Sequence, residues 1–229
     1  MNLKNALTDS LPKYACELPY SRIKTKFRPF LVKEEKKLLI LEETSTQAEI
    51  YNGIIEVLES CFDQNIDFRK IPLFEVEYCF LKLRAKSVGE MITPKIQCPI
   101  TGETHVVSVD LNSVNLKSTT NPEVIDLGNN FTLHMRYPAI GDLIDDNSDI
   151  NSLVANCIVY FEDKEEKVES STFKKQEILE FLENMTSSQY EKIINFFEKM
   201  PSLEIQVRYQ TKDMEVRELT LKGIKDFFS

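Results

Sequence analysis

Histidine and glycine are both scarce in this chain, with two and six residues respectively among 229. His105 and His134 are the only side chains whose ordinary pKa suits general acid–base work at neutral pH. Neither lies beside a nucleophile motif such as Gly-x-Ser-x-Gly. The glycines form neither a phosphate loop nor a dinucleotide fingerprint. No close cysteine pair exists either. Cys16, Cys61, Cys79, Cys98 and Cys157 are scattered and odd in number, which disfavours a disulfide framework and reads as core packing. Cys98-Pro99-Ile100-Thr101-Gly102-Glu103 has the turn chemistry of a zinc knuckle, but Thr101 stands where a second thiolate is needed. The segment reads as a hairpin turn instead. A Cys98–His105 thiolate pair is what remains for a catalytic reading, without an oxyanion hole or orienting residue beside it.

Long apolar runs are missing too. Nothing approaches the roughly 20 apolar residues that cross a bilayer. Residues 1 to 20 are polar and broken by Pro12 and Pro19, so no secretory signal is expected and a cytoplasmic location is. Basic charge is in the minority, 28 residues against 37 acidic for a net charge of -9, which opposes a phosphate backbone. Nucleic acid and membrane are therefore not expected as partners. Arg22, Lys24, Lys26 and Arg28 would share one face of a strand. That stripe reads as a solvated face or a contact with the chain's own acidic surface, with a partner protein or nucleic acid as the sharper reading. Asp142, Asp145, Asp146 and Asp149 raise calcium, but their spacing does not match a twelve-residue calcium loop, and a capping or solvated acidic turn fits better. No cofactor or metal is expected.

What is present is an α+β pattern. Residues 27–32 and 37–41 are predicted as strands across a charged turn at 33–36. Thr46 and Glu49 form a capping box, opening a helix with Ile50, Ile54, Val57, Leu58 and Cys61 on one side. Pro72 suits the first turn of the next helix, and Gly89 its end. A β segment follows from Ile96 to Leu116, broken near Asn112 to Asn115. Residues 117–130 read as a boundary or surface crossing. Phe131 to Tyr137 alternates like a half-buried strand. Helical spacing dominates from Ser152 to Met200: a short helix with Leu153 to Ile158, a polar separator from Glu162 to Ser170, then an αα-hairpin whose second helix opens on Ser188 and Glu191. Leu203 to Tyr209 and Met214 to Leu221 alternate as a β-hairpin. The expectation is short antiparallel strands and hairpins with about five helices. They are arranged as an N-terminal lobe, 1–118, and a C-terminal lobe, 119–229, that carries the helical hairpin and the terminal β-hairpin, or else as one continuous domain.

The most informative stretch is Ile71 to Glu90, IPLFEVEYCFLKLRAKSVGE, where an almost unbroken apolar run abuts Arg84, Lys86 and Glu90. It looks built for packing and docking. Together with Lys26 to Ile40, KFRPFLVKEEKKLLI, and Leu221 to Phe228, LKGIKDFF, it resembles the baseplate hub assembly proteins of T4-like contractile-tailed bacteriophages. The three blocks occur in the family's order. The resemblance implies a non-enzymatic protein-binding factor that assists assembly of the central hub of a tail baseplate, with no catalytic residues to carry over. A permanent structural subunit of the virion baseplate is the alternative, and a cysteine-dependent enzyme ranks lower. The implied partners are phage baseplate hub proteins, met in the host cytoplasm or on the virion baseplate, and self-association stays open. The expected contact surface comprises Arg28, Pro29, Phe30, Arg84, Lys86, Glu90, Phe227 and Phe228. An internal ion-pair and core cluster is the competing reading of the same residues.

Overall fold

A computed structural model describes residues 10–44, 46–63, 66–117, 123–145 and 149–223. The chain divides into two compact units, Met1–Lys117 with Ser202–Ser229, and Ser118–Pro201. In the first unit, β1 (Tyr14–Glu17) and β2 (Lys24–Phe27) form an antiparallel ribbon. Thr25 and Phe27 turn inward while Lys24 and Lys26 face solvent, so the basic stripe on this strand is a solvated face.

Neither strand expected at 27–32 and 37–41 is there: β2 ends at Phe27. Beyond β2, the chain enters α1 (Val32–Thr44), a single helix through the charged segment read as a turn. Lysine and glutamate are good helix formers, Glu34 and Glu35 lie in the first turn where the helix dipole favours acid, and Leu38 and Leu41 recur at helical spacing. In α2 (Gln47–Cys61) the capping box is as expected: the Thr46 amide donates to the Glu49 carboxylate at 2.7 Å and Thr46 Oγ1 accepts from the Glu49 amide. A Cβ at Gly53 would overlap Leu41, so glycine permits the close approach of α1 to α2. Pro72 is the N-cap of α3 (Leu73–Ser87), whose Phe74, Val76, Cys79, Phe80, Leu81 and Leu83 are buried, and Gly89 leaves it at a φ of 145°. Four short strands follow, β3 (Met91–Ile92), β4 (Lys95–Gln97), β5 (Thr104–Val106) and β6 (Val109–Asp110), then a 3-10 turn at Leu111–Ser113 and β7 (Asn115–Lys117). Strand β4 pairs with β5 across the expected turn, where the Gly102 amide donates to the Cys98 carbonyl at 2.8 Å.

The second unit is built on a four-stranded antiparallel sheet. Its elements are β8 (Val124–Gly128), β9 (Phe131–Met135), α4 (Ile140–Asp145), α5 (Ile150–Cys157), β10 (Ile158–Glu162), β11 (Lys167–Glu169), α6 (Lys175–Glu183) and α7 (Ser187–Glu198), with strand order β11-β10-β9-β8. Four expectations are corrected. Strand β8 occupies part of the stretch read as a boundary, closed onto β9 by Asn129 and Asn130 with φ of 55° and 60°. The helix expected to include Ile158 ends at Cys157, because Ile158, Val159, Tyr160 and Phe161 are β-branched or aromatic, and Ile158, Tyr160 and Phe161 pair with β9 around a register shift at Val159. The polar separator holds the β10–β11 turn, in which Asp163 Oδ1 accepts from the amides of Glu165 and Glu166 at 2.8 and 3.0 Å, and strand β11 itself. The box that opens α7 uses Thr186 and Gln189 rather than Ser188 and Glu191. Of the acidic cluster, Asp149 caps α5 and Asp142 takes a bidentate Arg136. Asp146 lies outside the described residues, as does the Asp145 side chain.

The chain then returns to the first unit as β12 (Ser202–Gln210) and β13 (Val216–Lys222). The expected boundary put this hairpin in a C-terminal lobe. Instead β12 pairs with β7, Leu203 opposite Leu116, and Leu203, Val207, Tyr209 and Leu221 bury against Leu81, Ala85, Ile96 and Val109. Sequence separation hid that pairing. The protein is thus α+β, with seven helices and thirteen short strands among the described residues.

Candidate functional site

The structure brings six of the eight expected contact residues into one region of the first unit. Phe227 and Phe228 lie outside the described residues. The Phe30 amide donates to Ser87 Oγ at 3.0 Å, and Ser87 Oγ donates to the Leu83 carbonyl at 2.6 Å, which ties the Arg28-Pro29-Phe30 segment to the last turn of α3. Lys86 and Glu90 form an exposed ion pair at 2.6 Å, and the Lys86 ammonium also lies 5.7 Å from the Tyr14 ring centroid. Burial lowers the Arg84 guanidinium from its ordinary value, partly offset by Glu35 of α1.

Arg28 differs from its neighbours. Its guanidinium donates to Glu34 at 3.0 Å and to the Ser60 carbonyl at 2.9 Å, and the Arg28 and Glu34 side chains are only 16% and 5% exposed. Arg28 therefore clasps the first turn of α1 to the last turn of α2. Burial raises the Glu34 carboxyl, but the Leu31 amide and Arg28 outweigh it and hold the group below the usual carboxylate range. Val32, Val88 and Met91 are exposed apolar side chains flanking the Phe30–Ser87 contact in sequence. Sequence reasoning missed them; the available signal was apolar residues outside the buried helix stripe, just where α1 begins and just beyond the end of α3.

The thiol singled out for a catalytic alternative has its own setting. Hydrogen bonds from Thr101, the Tyr209 hydroxyl and the Thr101 amide pull the Cys98 thiol down to about 6. Arg217 lies 3.5 Å from its sulfur. His105 packs on the Tyr209 ring at 4.7 Å, so tyrosine and arginine take the place that a catalytic histidine would fill. Burial pushes Cys61 up to about 11 and Cys157 to about 12. The Cys98 sulfur is thus surrounded by hydrogen-bond donors, and its residue is 1% exposed. A Cys98→Ser difference titration at 240 nm should therefore show thiolate absorbance with a midpoint near 6, the value its hydrogen bonds imply. A midpoint in the ordinary thiol range would remove that assignment. Among the described residues no group of three or more His, Cys, Asp or Glu side chains is placed to hold a metal ion.

The family model described as T4 bacteriophage base plate protein matches residues 11–229. The chain belongs to this family. No curated protein and no solved structure matches it. Membership implies that this baseplate protein interacts with other phage baseplate proteins. Among its described residues no helix is long and apolar enough to cross a membrane.

Proposed function

We propose that this baseplate protein is a non-enzymatic binding factor that helps the central hub of the phage baseplate to assemble, docking its partners on the region around the end of α3. The observation that carries the reading is the set of exposed apolar side chains, Val32, Val88 and Met91, which flank in sequence the Phe30–Ser87 contact and the exposed Lys86–Glu90 pair. Apolar anchors within a charged rim are the usual anatomy of a docking surface. Arg28 holds the segment in place, and Pro29, Phe30, Arg84, Lys86 and Glu90 form its half-buried and exposed parts. Cys98 has a sulfur occupied by Thr101, Tyr209 and Arg217, which favours a packing role over a nucleophilic one.

The test is binding of the purified protein to recombinant baseplate hub proteins, comparing wild type with Val88→Asp and Lys86→Glu. Both positions are exposed, so the melting temperature should stay within about 2 °C of wild type. Affinity should fall about tenfold or more, equivalent to about 1.4 kcal/mol. Wild-type affinity in both variants would sink the docking surface. Mass spectrometry of purified virions then separates a departing assembly factor, absent from particles, from a permanent subunit.

A further inference from the structure

The second unit holds a cavity of about 360 Å³ between the end of the β10–β11 hairpin and α6. Four phenylalanines form its walls. Phe161 meets Phe173 and Phe181 edge-on, each at 5.3 Å between centroids, and Phe131 lies 5.7 Å from Phe181. Phe173 is 41% exposed, which leaves one wall open to solvent. Apolar ring surface left in water is unfavourable, so the cavity favours an apolar guest.

The polar lining has a single sign. Asp163, Glu166 and Glu177 line the cavity and no lysine or arginine does. Two of these carboxylates are fixed by the backbone. Asp163 Oδ1 accepts from the Glu165 and Glu166 amides, and Glu177 Oε2 accepts from the Lys174 amide at 2.7 Å, leaving each a second oxygen. Among the described residues none of the three pairs with a basic side chain. Lys167 of β11 lies over the Tyr160 ring instead, 4.5 Å from its centroid. The amides also hold the Asp163 carboxyl below the ordinary range, so it stays ionised at neutral pH.

We propose that this aromatic cavity is a second docking site, which takes an apolar side chain of a partner protein with an adjacent lysine or arginine on its acidic rim. That the partner is a baseplate protein rests on the function proposed above; the chemistry of the cavity does not. The guest needs both features, because the walls reward apolar area and the rim penalises negative charge.

The test uses four capped tetrapeptides as probes, Gly-Lys-Phe-Gly, Gly-Glu-Phe-Gly, Gly-Lys-Ala-Gly and Gly-Glu-Ala-Gly, titrated into the full-length protein. Methyl resonances of Val168 and Ile178, both in the lining, report occupancy. Saturable shifts are expected with the Lys-Phe probe at a Kd of about 1 mM or below. Binding should weaken about tenfold without the phenyl group and about threefold or more with the glutamate probe. Glu166→Lys, an exposed position, should weaken the preference for lysine without changing the melting temperature. Absence of saturable shifts, shifts elsewhere in the protein, or equal binding of the Lys-Phe and Glu-Phe probes would overturn the proposal. None of these outcomes depends on the hub-binding experiment, so the two readings fail separately.

Discussion

Glu75→Ala is expected to lower stability by about 2–5 kcal/mol, a fall in melting temperature of roughly 5–15 °C for a protein of this size. Glu75 is fully buried on α3, although its side chain is polar. Its Oε1 accepts the amides of Tyr20 and Ser21 at 2.7 and 2.8 Å, clasping the β1–β2 connection onto the helix. That connection is a tight one: the Leu18 amide donates to the Ile23 carbonyl at 2.9 Å and Arg22 has a φ of 59°. Alanine strands two amides, each costing about 1–3 kcal/mol, and removing a buried carboxyl group that is only partly hydrogen-bonded offsets part of the loss. Glutamine keeps the accepting oxygen. Its new amide nitrogen, however, falls where Oε2 has no hydrogen-bond partner, so an intermediate loss is expected. A thermal melt of the three proteins decides the matter, and an unchanged midpoint for Glu75→Ala would mean that the clasp contributes nothing.

Phe196→Ala should cost about 3–5 kcal/mol in the second unit, while Phe196→Leu should cost about 1–2 kcal/mol. Phe196 of α7 is 2% exposed and stacks on Tyr137 at 4.9 Å with rings 9° from parallel, and Phe197 meets it edge-on at 5.2 Å. Truncation removes a stacked pair and leaves a cavity that the flanking helix and sheet cannot fully close. Denaturant titration checks the energy. Near-ultraviolet circular dichroism checks the cause, because the chain has no tryptophan and the signal of Tyr137 is not masked by one. A loss below about 1 kcal/mol would show that the site repacks.

Elements governed by neighbours in sequence were legible. The Thr46 capping box, the helix after Pro72, the Cys98–Gly102 turn and the alternation in β12 are each decided within a few residues, by side chains that satisfy backbone groups or by a simple hydrophobic period. Errors arose where two local signals competed. At Val32–Thr44 the charged run read as a turn, yet its helix propensity prevailed; at Ile158–Glu162 helical spacing lost to β-branched residues with a partner strand.

The candidate sites divide in the same way. The sequence picked out Arg28 and Lys86 alike as charges beside apolar runs, and only tertiary contacts made one an internal clasp and left the other on the surface. The aromatic cavity was invisible because Phe131, Phe161, Phe173 and Phe181 come from separate segments. The amino-acid sequence by itself determined the α+β class, most helix and hairpin positions and the family blocks, since these rest on local propensity and short motifs. Tertiary structure alone decided that the terminal hairpin joins the first unit, which charges are buried, and where four distant phenylalanines meet, because those outcomes depend on long-range pairing and burial that no local window contains.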